Sequence, residues 1–259
     1  MDIKKLKKAA GFTLIELLVV IAILGILMAA LVFGAPQWIR GAKMTAASQN
    51  GKKLFDAITA KNLSYAAGSR KKTIWPKTES STGGGSSTRI WNKSYKDSRE
   101  YFEDLFDVKN ITNPSKRRSY LEEDVKLVYD QVEAPSDPTK LEEDNVMWCV
   151  AANMEDDDPG AIVALITRNV KCDQLLEKYS GTDTDTEISV GLENGADYDE
   201  PFSNKGFVFV RKDGGAVKVD DVNNFTYEGI YEGQTFDATT KKNKLVYLTP
   251  KGTATPTSK

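Results

Sequence analysis

A chain of 259 residues with 28% charged and 40% hydrophobic side chains has room for one good-sized globular domain and an apolar appendage. It contains no histidine and only two cysteines, which removes the commonest general base and excludes Cys₄ and Cys₂His₂ zinc sites. The formal charge of −2 hides an asymmetry: residues 1–11 carry four lysines against Asp2, a net of +3, leaving about −5 for the rest. That balance argues against a nucleic-acid-binding protein.

The basic stretch "MDIKKLKKAAG" is followed by "FTLIELLVVIAILGILMAALVFGA", residues 12–35, in which Thr13 and Glu16 are the only clearly polar side chains. About 20 apolar residues cross a hydrocarbon core of ~30 Å, so the run is predicted to span a membrane. Lys4, Lys5, Lys7 and Lys8 precede it, and the positive-inside rule then keeps the N-terminus cytoplasmic and sends residues 36–259 across. Arg40 and Lys43 beyond the run weaken the contrast without reversing it. Cleavage after the run is disfavoured, because Phe33 stands where a secretory signal wants a small residue. Glu16 is the anomaly, since a carboxylate in hydrocarbon costs a few kcal/mol even on lenient scales.

The register of basic leader, Gly11, Phe12 and Glu16 resembles the type III signal of type IV pilins and type II secretion pseudopilins. The resemblance covers residues 4–28 and rests on all four features coinciding. It implies cleavage after Gly11 by a prepilin peptidase, methylation of the new amine at Phe12, and pairing of that amine with Glu16 of a neighbouring subunit. It also implies, as partners, copies of the chain and related pilins, an inner-membrane assembly platform and its ATPase. The implied location is the bacterial inner membrane, with the globular domain periplasmic or extracellular in a filament. Filament subunits of this kind are structural, so no enzymatic activity and no cofactor are expected. Between surface pilus and pseudopilus the sequence leaves both open, with "FTLIELLVVIAILGIL" leaning to the pseudopilin side. A membrane-anchored binding domain that keeps its leader and an adhesive minor tip pilin stand as the alternatives.

Beyond the run, Gly34 and Pro36 interrupt the helical pattern, and Pro36 is predicted to kink or loosen the helix. Ile39, Ala42, Ala46, Leu54, Ala57 and Ile58 then recur at roughly helical spacing, with Arg40, Lys43, Ser48, Lys52 and Lys61 elsewhere on the wheel. One helix is predicted from residue 12 to about 67, ~80 Å long at 1.5 Å per residue. Its halves are 12–35 and 36–67, and the small residues Ala42, Ala46 and Ala57 are expected to let a sheet approach. Residues 68–259 are assigned to the globular domain.

Within that domain, "TESSTGGGSST", residues 78–88, reads as a flexible loop. Trp75 and Trp91 flank it and are expected to pack, stacking on sugars or bases being the other reading. Ser69-x-x-Lys72 meets a serine acyl-enzyme pattern without its companion motifs and is read as chance. Residues 98–107 are predicted to form a short helix capped by Ser98, with Tyr101, Phe102, Leu105 and Phe106 inside.

"NVMWCVAA", "AIVALIT" and the hairpin "GFVFVRKDGGAVKV" read as strands, with "FTYEGIYEG" and "NKLVYLT" as further edge strands. A long N-terminal helix followed by a mostly antiparallel sheet gives an α+β class, and the layout resembles the pilin α/β roll. Cys149 and Cys172 are either a disulfide, which the extracytoplasmic placement permits, or two buried thiols. Asp183, Asp185 and Glu187 are spaced like a calcium loop, but Ile188 replaces the required glycine and Asn194 the closing glutamate. A solvated acidic loop is the preferred reading there, with calcium as the alternative. Glu155 to Asp158 are expected to form a polar turn closed by Pro159 and Gly160.

Overall fold

A computed structural model describes residues 12–66, 75–78, 94–110, 122–155, 158–173, 201–202, 204–222 and 245–254. Helix α1, Leu14–Ala66, is followed by α2, Ser98–Phe106, and α3, Glu122–Tyr129. The strands are β1 (Trp148–Ala152), β2 (Val163–Thr167), β3 (Phe207–Arg211), β4 (Ala216–Val219), β5 (Val246–Thr249) and β6 (Gly252–Ala254). They form one sheet in the order β4-β3-β2-β1-β5-β6, and all five neighbouring pairs are antiparallel. The α+β arrangement expected from the sequence is therefore present and is compatible with a pilin-like fold. The chain divides into two compact units, Met1–Ala42 and Lys43–Lys259.

In the first unit α1 runs through Pro36 without a break in its helical backbone. Leu14, Ile15, Leu17, Leu18, Ile21, Leu24, Leu27 and Val32 are all exposed. They lie on every side of the helix, so this stretch is apolar all round rather than amphipathic. Among the described residues, no helix is long and apolar enough to cross a membrane. The span expected for residues 12–35 thus stays an argument from sequence.

The second unit is built where α1 meets the sheet. Met44, Ala47, Gly51, Leu54, Phe55 and Ile58 are buried and recur at three- and four-residue steps, which puts them on one face of the helix. The closest approach is made by Gly51, where an added Cβ would lie 2.6 Å from the Trp148 ring and 3.1 Å from Val210. Ala42 is exposed and Ala46 and Ala57 only half-buried, so the small residues singled out in the sequence are not the ones that admit the sheet. Lys61, expected on the polar face, is buried; its Nζ donates to the carbonyl oxygens of Asp104 and Leu105 at the end of α2. A cation there satisfies carbonyls that the helix leaves open and complements its dipole.

Strands β1, β2 and β3 are buried at every position. Their near-continuous apolar runs reflect a sheet covered on both faces, which is why alternation is weak in the sequence. Register is set by pairs such as Cys149 with Ile166, Val150 with Leu248 and Phe209 with Val217. The β3–β4 hairpin turns at Lys212, Asp213, Gly214 and Gly215, with Gly214 at φ +86, a conformation that glycine adopts without steric cost. Expected as an edge strand, β5 instead lies between β1 and β6. "FTYEGIYEG" lies outside the described residues.

Helix α2 has its expected buried face of Tyr101, Phe102, Leu105 and Phe106. Its cap is Asp97, not Ser98: Asp97 has extended backbone angles, and its Oδ1 accepts the Glu100 N–H at 2.9 Å. Helix α3 carries no expectation from the sequence. It is tied to the sheet by Trp148 Nε1 donating to Leu127 O at 2.9 Å and Met147 N donating to Val128 O at 2.8 Å. Trp75 is only 3% exposed, and its ring lies 5.8 Å from that of Phe55, so it packs against α1 and is not available for stacking on a ligand.

Gly51→Ala gains helix propensity of about 1 kcal/mol but drives a methyl into a buried indole, an overpacking cost of roughly 1–3 kcal/mol. Because Trp148 is fixed by its hydrogen bond to Leu127, the clash is expected to win and the melting temperature to fall. At Gly41, where an added Cβ meets nothing within 4 Å, Ala should leave the melting temperature unchanged or raise it. Thermal unfolding of the two variants in detergent checks the contrast.

Candidate processing and assembly site

The first turn of α1 is held by two side chains. Thr13 stands just before the helix, and Glu16 is the third residue inside it. The backbone N–H and the hydroxyl of Thr13 both donate to Glu16 Oε2, each at 2.8 Å. The Glu16 N–H donates in return to Thr13 Oγ1 at 3.3 Å, and Leu17 N–H donates to Thr13 O at 3.3 Å. This reciprocal pair is a capping box, which satisfies backbone donors that a helix start otherwise leaves open. A carboxylate near a helix N-terminus is also favoured by the helix dipole.

Such a cap matters more here than on an ordinary surface helix. The side chains that follow are exposed and aliphatic, and in a nonpolar medium an unsatisfied N–H costs several kcal/mol. Glu16 therefore brings a charge to an apolar helix and at the same time removes bare N–H groups. Only Oε2 is engaged; Oε1 has no partner among the described residues. Phe12, immediately before the cap, is 86% exposed.

The structure thus brings Phe12, Thr13 and Glu16 together at one helix end, while Gly11 lies outside the described residues. In the sequence Thr13 stood out only as a polar side chain and not as a cap, although a Thr followed three residues later by Glu before an apolar run is the signature of this cap.

The other candidates fall elsewhere. Cys149 and Cys172 are both buried thiols, not a disulfide. The strand register faces Cys149 with Ile166, and the Cys172 Sγ donates to Val170 O at 3.5 Å. Asp183, Asp185 and Glu187 lie outside the described residues, as do Ser69, Lys72 and Trp91. Among the described residues, no group of three or more Cys, Asp or Glu side chains could hold a metal ion. In the acidic turn, Asp158 Oδ2 accepts the Glu155 N–H at 2.8 Å, and Lys212 Nζ donates to the carbonyl oxygens of Glu155 and Asp158 at 2.8 and 2.5 Å. Arg168 is likewise committed to carbonyls, donating to Glu143 O and Asp144 O. These two cations, Arg168 buried and Lys212 half-buried, tie loops and helix ends to the sheet. Burial, with the nearby Asp104 carboxylate, pushes the Tyr95 phenol far above its ordinary range, so it stays protonated and donates to Asp104 Oδ2 at 3.3 Å.

Comparison with protein families matches residues 6–32 to the prokaryotic N-terminal methylation motif. The matched segment contains Gly11, Phe12, Thr13 and Glu16 and runs into the exposed apolar part of α1. The chain therefore carries a prepilin-type N-terminal motif, which points to a family of structural subunits and is consistent with a membrane-anchored N-terminus. Comparisons with curated proteins and with solved structures returned no match.

Thr13→Val removes the hydroxyl while keeping the shape, and should weaken the helix start by about 1 kcal/mol. Amide hydrogen exchange at Glu16 and Leu17 is expected to quicken roughly fivefold by that measure, whereas Thr13→Ser should retain most of the protection. Equal exchange in all three proteins would mean that the cap contributes nothing in solution.

Proposed function

We propose that this chain is a structural subunit of a prepilin-processed filament, cut after Gly11 by a membrane prepilin peptidase and N-methylated at Phe12. The observation that carries the reading is one coincidence of register. The methylation motif at residues 6–32 overlaps a helix start at which Glu16 is capped by Thr13 and exposed aliphatic side chains follow.

In this reading residues 12–35 anchor the unassembled subunit in the bacterial inner membrane. The basic leader stays cytoplasmic, and the globular unit lies on the far side. Cleavage creates an amine on Phe12, one residue from the cap. Glu16 then has two uses: Oε2 stays on its own helix start, and Oε1 accepts the amine of a neighbouring subunit. Neither charge is favourable alone in a low-dielectric core, but an ion pair offsets much of both desolvation costs. Pairing makes the register of neighbouring helices specific, while apolar packing of the α1 segments supplies most of the stabilisation. An assembly ATPase and a membrane platform are the partners that supply the work of extraction. The run "FTLIELLVVIAILGIL" favours a type II secretion pseudopilus over a surface pilus.

Glu16→Leu and Glu16→Gln test the assignment of Glu16. Both variants should insert and lose their leader as the parent does. Removing one member of a buried pair costs about 3–5 kcal/mol, so filament yield should fall by well over tenfold. Undiminished filaments from Glu16→Leu would contradict the proposed pairing. A chain that keeps its leader and never polymerises would instead fit an anchored extracytoplasmic domain.

A further inference from the structure

The apolar surface of α1 does not stop at Pro36. Trp38 is 71% exposed and Ile39 57% exposed, and Arg40 follows directly. Among the described residues the Arg40 guanidinium makes no hydrogen bond or ion pair. An open indole beside an aliphatic side chain and an uncommitted guanidinium is a poor surface for water. It suits the boundary of a bilayer, where an amphipathic ring has both an apolar and a polar side to face.

The helix geometry places these residues at that boundary. At ~1.5 Å per residue, α1 advances about 33 Å from Glu16 to Trp38. A hydrocarbon core of ~30 Å crossed at the average tilt of ~20° needs about 32 Å of helix. When the Thr13–Glu16 cap sits at one face of the core, Trp38 emerges at the other. Arg40 lies ~3 Å further along the axis, toward the phosphates.

We propose that Trp38 and Arg40 form an interfacial anchor for anionic phospholipid, with the indole at the glycerol level and the guanidinium on a headgroup phosphate. The charge is complementary, and a planar guanidinium binds a phosphate through two parallel N–H groups. The anchor would fix the depth of the span at its outer end. This inference rests on the anchored reading above, and its test separates the two.

The full chain is reconstituted into phosphatidylcholine–phosphatidylglycerol vesicles, and flotation is measured first. Tryptophan emission is then recorded with nitroxide labels at shallow or deep acyl positions, carried on either lipid, and compared with Trp38→Phe. Subtracting the Trp38→Phe signal removes the emission of Trp75, Trp91 and Trp148, so the difference isolates Trp38. The expected result is quenching mainly by the shallow label and lost in Trp38→Phe. It should be up to about fivefold stronger when the label is on phosphatidylglycerol, the scale of one basic residue at an anionic surface, and Arg40→Gln should equalise the two carriers. Failure to float would remove the anchored reading and this inference with it. Flotation with Trp38 unquenched, or quenched best by the deep label, would overturn the inference alone. Shallow quenching equal on both carriers would overturn its assignment to anionic lipid.

Discussion

The Trp148 ring lies so close to the backbone of α1 at Gly51 that a single methyl group would not fit between them, and this contact fixes how near the helix can come to the sheet. The same indole donates to Leu127 O, so the residue that sets the spacing on one side also ties α3 into the second unit. Met44 against Gly206 repeats the arrangement one end further along, where an added Cβ would meet the Met44 methyl at 2.7 Å. Around these contacts Leu54, Phe55 and Ile58 close the core, and the Lys61 ammonium secures the end of α2. The stability of the second unit therefore depends on the part of α1 that follows Ala42.

The part before it answers to a different solvent. The large apolar side chains described between Leu14 and Val32 are exposed, and no described residue buries them. An exposed apolar surface of that extent marks an interaction site. Lipid and the helices of other copies are the two environments that would cover it, and the proposed function uses them in turn. The Thr13–Glu16 cap is compatible with both, because it satisfies the helix start internally and leaves one carboxylate oxygen open.

Much of this was legible in the sequence. The apolar run, the Gly11-Phe12 junction and Glu16 announce themselves by composition and register, and the strand pattern of β1 to β4 follows from short apolar runs bounded by turn residues. The buried stripe of α1 was harder to read, because alanines are spread around the helix and only tertiary contact decides which ones the sheet meets. Gly51 carries no local signal that distinguishes it from Gly25 or Gly41; its role exists only once Trp148 is opposite. Lys61 was misplaced because its charge argues for solvent, whereas the carbonyls that hold it belong to a helix more than forty residues away. Asp97 displaced Ser98 as a cap by one position, the scale at which helix ends are hardest to read. The position of β5 was misjudged because edge and centre differ in pairing, not in composition.

Processing at the Gly11–Phe12 bond is the step on which the proposed function depends. Its most direct test is the intact mass and N-terminal peptide of the protein recovered from membranes that contain a prepilin peptidase. The expected product begins at Phe12 and is one methyl group heavier than the sequence from that residue. A chain that still begins at Met1, or one that begins near Pro36, would contradict it.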